Sequence, residues 1–382
     1  MSARVEDLLA APLGRQVLFA ALGVPTFELY GRCGLGNPPG TAMLVSVERG
    51  SRAEVRPQAE RHNWAEVPAT EARETVRGLV SIGNWQALNQ VSELELLSWI
   101  AGETGSFGFR GEDEWLWGLT AMAADELVPV ADLLLSCSAA RHWWRPVVRD
   151  DQRILAFDSD GAFLGKDLRG AVTDATTRHK ADNAARVRSR RGERKRLRDE
   201  AKGLRYGAHW WSTPTLSVRS VSAGPFEGIP SIELLDFVDS GSLSGLATVI
   251  RFSADPTATI YEVTGPEDWA ALVERYPMDS TGTHDGEWRY WGGVSEPWLL
   301  PDWNKIADDY AGIHVTIGGY LASSGKAMRV GDSYTMLAGW VPDGTLWLRD
   351  ISTQNVELGT WNFSRGGFHF YDDDPLAGWT PA

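Results

Sequence analysis

The sequence predicts an α+β protein with a mainly helical N-terminal region, a basic helical connector and a Trp-rich C-terminal domain built on a mixed sheet. Three observations predict it. Apolar residues recur near helical spacing in the first part of the chain, Arg and Lys fall at i, i+4 intervals in the middle, and from Thr259 onward short runs of β-formers alternate with helix-opening signals. These textures divide the chain into residues 1–140, 141–177 (β-rich), 178–207 (the connector) and 208–382.

In the first region Leu8, Leu9, Leu13, Val17, Leu18 and Leu22 mark one helical face. Gly34 to Gly40, with two prolines, is a loop, and Ala42 to Val47 reads as a strand. Ser92 and Glu95 have the spacing of a capping box ahead of Leu96 to Ile100. Glu112 to Ala140 is helical with an interruption near Val128 and Pro129.

The phrase His-Trp-Trp occurs twice, at His142 and at His209, and each copy runs into a proline, Pro146 or Pro214. Arg153 to Phe157 after the first copy and Thr215 to Val221 after the second have strand composition. Trp143 and Trp144, then Trp210 and Trp211, are expected to anchor the chain where it enters a strand; a paired aromatic clamp for a base or sugar is the alternative. Between the copies, Arg178 to Arg205 holds twelve basic and four acidic residues, and Arg186, Arg190, Arg194, Arg198 and Lys202 form a slowly drifting helical stripe. With few apolar residues this helix cannot be deeply buried. It is either a solvated strap leaning on an acidic body or, through Arg190, Arg194 and Arg198, a docking element for an anionic partner.

The C-terminal region gives the clearest signals. Thr259 to Thr264 is a strand, and Pro266, Glu267 and Asp268 open a helix running to Tyr276, with proline in the first turn and acids at the positive end. Pro301, Asp302 and Trp303 open a second helix to Tyr310, which leads into a strand from Gly312 to Gly318. Tyr334 to Trp340 and Thr345 to Arg349 are expected to be strands joined by the turn Val341 to Gly344. This order (Ile260-Tyr-Glu-Val, Pro266-Glu-Asp-Trp, Asp302-Trp-Asn-Lys-Ile-Ala-Asp-Asp-Tyr, Leu337-Ala-Gly-Trp) resembles an uncharacterised Trp-rich module of bacterial and phage hypothetical proteins, over residues 259–350. The resemblance implies a module boundary and a setting such as phage conflict; it carries over no catalytic residue.

Composition narrows the function. A net charge of -14 over 382 residues argues against binding of nucleic acid or membrane surfaces by the whole chain. No apolar run has the length of a membrane span, the N-terminus lacks a secretory pattern, and the two cysteines, Cys33 and Cys137, form no C-x-x-C pair, so a reducing cytoplasm is expected. Walker A, H-E-x-x-H, G-x-S-x-G and dinucleotide fingerprints are missing, and Gly34-x-Gly36 lacks the third glycine. No metal site is expected from seven dispersed histidines, although His284-Asp285, read as a loop, and the acidic run Asp372 to Asp374 supply ligand types; no cofactor is indicated.

Two readings remain. In an interaction or ligand-binding protein, for example one that neutralises a toxin, the 18 tryptophans and the Arg stripe form a surface for a protein partner or a second copy. In an ADP-ribosyltransferase-like or other nucleotide-using group-transfer enzyme, Glu262 and His314 supply acid-base chemistry while Trp269, Trp303 and Trp340 stack on the ligand. Nucleic-acid binding through the basic helix is a minority reading. Alternation places His314 and Thr316 on one face of their strand.

Overall fold

The computed structural model describes residues 2–22, 69–83, 85–94, 96–97, 100, 118–157, 167–193, 209–217, 220–235, 245–294, 297–350, 355–363 and 379–381. The chain forms two compact units, one of residues 1–92 and 106–141, the other of residues 93–105 and 142–382. The expected strand at Ala42 to Val47 and the Glu95 end of the capping box lie outside the described residues.

The first unit is helical. Pro12 divides the leucine-rich N-terminal stretch into α1 (Ala3–Ala10) and α2 (Pro12–Ala20), because proline suits a first helical position and not an interior one. Ser2 caps α1 by accepting from Val5 N. α3 (Ala69–Ile82) and α4 (Val128–Ser136) follow, with Pro129 opening α4 for the same reason. Leu8, Leu13, Leu18, Val76, Leu79, Val130 and Leu134 are buried in its core. Arg15 is buried with them; its guanidinium donates to Leu9 O at 2.8 Å, and burial lowers its pKa to about 10.

The second unit is α+β. Its main sheet draws strands from both sides of the basic segment: β1 (Gln152–Phe157), β2 (Val221–Ala223), β3 (Gly245–Phe252), β4 (Ile260–Val263), β7 (Gly312–Val315), β10 (Gly344–Trp347), β11 (Asn355–Phe363) and β12 (Trp379–Pro381). The order is β12-β11-β3-β1-β2-β10-β7-β4. All neighbours pair antiparallel except β4 and β7, so the sheet is mixed. The parallel pair requires a crossover, and α6 (Pro266–Arg275), α7 (Thr281–Gly292) and α8 (Trp303–Asp309) supply it, with β5 (Pro277–Asp279) and β6 (Leu299–Pro301) as a small antiparallel pair between them. α6 starts at Pro266 and α8 is capped by Asp302, whose carboxylate accepts from Lys305 N.

Several expectations need correction. Basic helix α5 (Leu168–Glu193) begins well before Arg178 and buries Leu168, Val172, Ala175 and Asn183, so this part of it is packed and not a solvated strap; the expected strap beyond Glu193 lies outside the described residues. Residues Thr215 to Ser217 are not a strand; pairing begins at Val221. Tyr334 to Trp340 does not form a hairpin with β10. Instead β9 (Ser333–Met336) pairs with β8 (Ala327–Val330), and the chain beyond it is captured by Ser212, which donates to Ala338 O at 2.8 Å and accepts from Ala338 N at 3.0 Å. β7 also stops before Thr316, because Thr316 is the N-cap of α9 (Ile317–Ser323), accepting from Gly319 N.

Candidate functional site

Glu262 and His314 stand directly opposite each other in the parallel β4–β7 register. Facing cross-strand side chains lie within reach of each other, and here they close: His314 Nδ1 is 2.5 Å from Glu262 Oε2. The second Glu262 oxygen accepts from Val147 N at 3.1 Å. The other side of the imidazole meets Asp343, with Nε2 3.5 Å from Oδ1. Asp343 sits in the turn before β10 at φ 57°, a left-handed conformation that Asp tolerates better than most residues. Its carboxylate also accepts from Gly224 N at 3.0 Å and pairs with Arg145 Nη2 at 3.0 Å.

The result is a row of alternating charge, Glu262, His314, Asp343 and Arg145, largely closed to water. Burial works to lower the pKa of His314, but the hydrogen bonds to Asp343 and Glu262 outweigh it and raise the value to about 9. Burial works to raise Asp343, and the imidazolium and Arg145 outweigh that too, holding its pKa below the usual carboxylate range. At neutral pH His314 is therefore an imidazolium with both N–H groups directed at carboxylates and 1% of its side chain exposed. It has no free nitrogen with which to take a proton from a substrate.

Trp269, Trp303 and Trp340 are brought together, but with one another. Their ring centroids are 5.7–6.3 Å apart, all three are buried, and Trp269 and Trp340 spend their indole N–H on Thr335 Oγ1 and Ser212 Oγ. The rings form an edge-and-tilt cluster under α6 and α8, the geometry of a core.

The two His-Trp-Trp phrases have the same local construction. Each histidine meets a carboxylate, His142 with Glu93 at 3.3 Å and His209 with Asp182 at 3.4 Å. The first tryptophan of each pair, Trp143 or Trp210, is buried and offers its carbonyl to a neighbour, Gly318 N or Trp288 Nε1, at 2.8 Å. The second, Trp144 or Trp211, lies against a glycine: a Cβ at Gly318 or Gly339 would come within 2.1 or 2.2 Å of indole carbon. Each phrase thus clips a loop onto the fold, and Trp211 remains 45% exposed.

Among the described basic side chains of α5, Arg169 pairs with Asp308, Arg178 donates to Thr215 O and Lys180 pairs with Asp302, Arg186 pairs with Asp182 of the same helix, and Arg188 is exposed. Arg190 lies near the end of α5 with its side chain outside the described set, and Arg194 and Arg198 lie beyond it. His284 is not in a loop as expected; it is buried in the first turn of α7. Asp372 to Asp374 fall outside the described residues. Among the described residues no group of three or more His, Cys, Asp or Glu could hold a metal ion, and no helix is long and apolar enough to cross a membrane. Sequence reasoning missed Asp343, read only as a turn residue, and Arg145, read only as part of an aromatic phrase. No family model, curated protein or solved structure matches the chain.

Proposed function

We propose that this protein acts by binding and not by catalysis, with the second unit as a platform and the basic sequence around Arg190, Arg194 and Arg198 as the part that meets an acidic protein partner. The observation that carries the reading is the state of His314. An imidazolium enclosed by two carboxylates, one of them paired with Arg145, fastens β4, β7, the turn before β10 and the first His-Trp-Trp phrase together, and it leaves His314 no free nitrogen to act as a base. Arg169, Arg178 and Lys180 are held by neighbouring elements and Arg186 by Asp182 of its own helix, while the sequence from Arg190 through Arg194 and Arg198 carries further positive charge for a partner to meet. A role in phage conflict or toxin neutralisation suits a chain that works by occupying its partner.

One observation favours the second reading, a nucleotide-using group-transfer enzyme of ADP-ribosyltransferase type: the Glu262 side chain keeps 30% of its surface open. Native mass spectrometry of gently purified protein, wild type against R190E/R194E and E262Q, separates the two. Binding predicts a polypeptide adduct that survives E262Q and is lost in R190E/R194E. A retained small molecule of several hundred daltons, with nucleotide consumption abolished in folded E262Q, would establish the enzyme instead. A nucleic-acid adduct whose yield falls steeply with salt would replace the acidic protein by a polyanion.

A further inference from the structure

We propose that His179, His209 and His284 form an acid-sensitive latch that fastens basic helix α5 to α7 and to the second His-Trp-Trp phrase. The inference stands apart from the identity of any partner, since it concerns only how α5 is held.

Three elements bring the imidazoles together. His179 comes from α5, His209 opens the second phrase, and His284 lies in the first turn of α7; their ring centroids are 5.6 Å (His179 to His284) and 6.1 Å (His209 to His284) apart. His284 is fully engaged as a neutral ring. Its Nε2–H donates to Trp211 O at 3.2 Å, which leaves Nδ1 to accept, and the Ser280 hydroxyl at 2.7 Å donates to it. Thr283 Oγ1, 2.9 Å from the same nitrogen, has its own proton directed at Ser280 O. A second proton on His284 would force the buried Ser280 hydroxyl to turn its hydrogen away from its acceptor. It would also place a cation beside two further imidazoles. His179 Nε2 is buried and has no hydrogen-bond partner among the described residues, so a charge there would lack direct compensation.

The other charged groups around the cluster are already committed. Asp182 meets both His209 and Arg186, Asp279 accepts from Asn183 and Thr281, Lys180 pairs with Asp302, and Asp285 is bound by Arg289. Burial, followed by repulsion from His209, lowers the pKa of His179 to about 4; burial, followed by repulsion from His179, lowers that of His284 to about 3. One turn from His179, Asn183 Oδ1 accepts from Gly282 N at 2.7 Å and from Thr283 N at 3.2 Å, capping α7 from another helix because Ser280 offers α7 no side-chain cap. Opening the histidine contact therefore pulls on that cap as well. When α5 lifts, His179 and His284 return to an ordinary pKa and bind protons, so acid drives the opening and neutral pH closes it.

The test is hydrogen exchange of the intact protein at about pH 7.5 and about pH 5, corrected for intrinsic exchange rates. Each histidine released to an ordinary pKa raises the opening equilibrium by roughly thirtyfold over this interval, so protection in residues 176–188 should fall by at least that factor while α6 stays nearly constant. H179Q/H284Q should remove the pH dependence. If the double variant does not fold, H179Q alone, at the half-buried position, should lose one thirtyfold factor. Equal loss in α5 and α6 would mean global acid unfolding, and an unchanged pH dependence in H179Q would show that these rings do not control the opening; either result overturns the latch.

Discussion

Asp343 shows how much can depend on one residue in a turn. Its backbone occupies a left-handed conformation while its carboxylate serves a guanidinium, an imidazolium and the Gly224 N–H, with almost none of its surface in water. Asn keeps the tolerance for positive φ and the shape but removes the charge. D343N should therefore destabilise the protein by on the order of 3 kcal/mol, since a buried cation is left partly uncompensated. It should also bring the His314 pKa down from about 9, because the foremost of the contacts that raise it is weakened. Urea denaturation and the pH titration of the His314 ring signals by NMR check the two effects separately; a stability loss without a pKa change would assign Asp343 to the turn alone. Little of this was legible beforehand. Val341 to Gly344 announced a turn, and His314 and Glu262 were conspicuous as polar residues among β-formers, but Arg145 and Asp343 are 198 positions apart. No local pattern joins residues that only strand order brings together.

At the level of elements, what could be read locally was read well. α6 and α8 are written into the chain by Pro266, by acids in the first turn and by the Asp302 cap, all signals confined to a few residues. The failures lie where a segment had a better partner elsewhere. Leu337 to Trp340 has strand composition, yet Ser212 takes the backbone groups of Ala338 and Gly325 N donates to Leu337 O, and α5 begins earlier than its charge suggested because Leu168 and Val172 are buried. The twin phrases invite a direct comparison. Adding a methyl at Gly318 or Gly339 drives it into an indole, and Gly339 also holds φ 72°, where any side chain is strained. Trp211 is partly exposed and can swing away, whereas Trp144 is held by its N–H to Thr264 O at 3.1 Å. G318A should cost on the order of 3 kcal/mol through overpacking, and relief of the Gly339 clash by W211A should recover part of the loss in G339A. A double-mutant cycle measures this; strict additivity of G339A and W211A would refute the contact. N183A, which removes the cap that α5 lends to α7, should cost about 1 kcal/mol or more.

Taken as a whole, the molecule carries two histidine networks with opposite electrostatic signs, and together they set where on the pH scale the second unit is most stable. His314 has a folded-state pKa of about 9 against an ordinary value of 6.5, so the folded chain binds the extra proton between those limits. Its contribution is complete below pH 6.5 and is lost as pH rises toward 9, on the order of 3 kcal/mol in all. His179 and His284 are lowered to about 4 and about 3, so between those values and 6.5 it is the unfolded chain that binds more protons. Their contribution is complete above pH 6.5 and is lost as pH falls. Asp343, held below its ordinary value, adds to the acid loss at the lowest pH. The two limbs meet near neutrality, which places the optimum well above the isoelectric point of about 5.0, as expected when specific buried groups and not net charge govern the profile. Urea midpoints followed by tryptophan fluorescence from about pH 4 to about pH 9.5 should trace a bell with its maximum near pH 6.5. H314N should flatten the alkaline limb alone and H179Q should shallow the acid limb alone. If H314N altered both limbs alike, the enclosed imidazolium would be a packing element whose charge has no bearing on stability, and the reading of the Glu262–His314–Asp343–Arg145 row as an electrostatic clamp would fail.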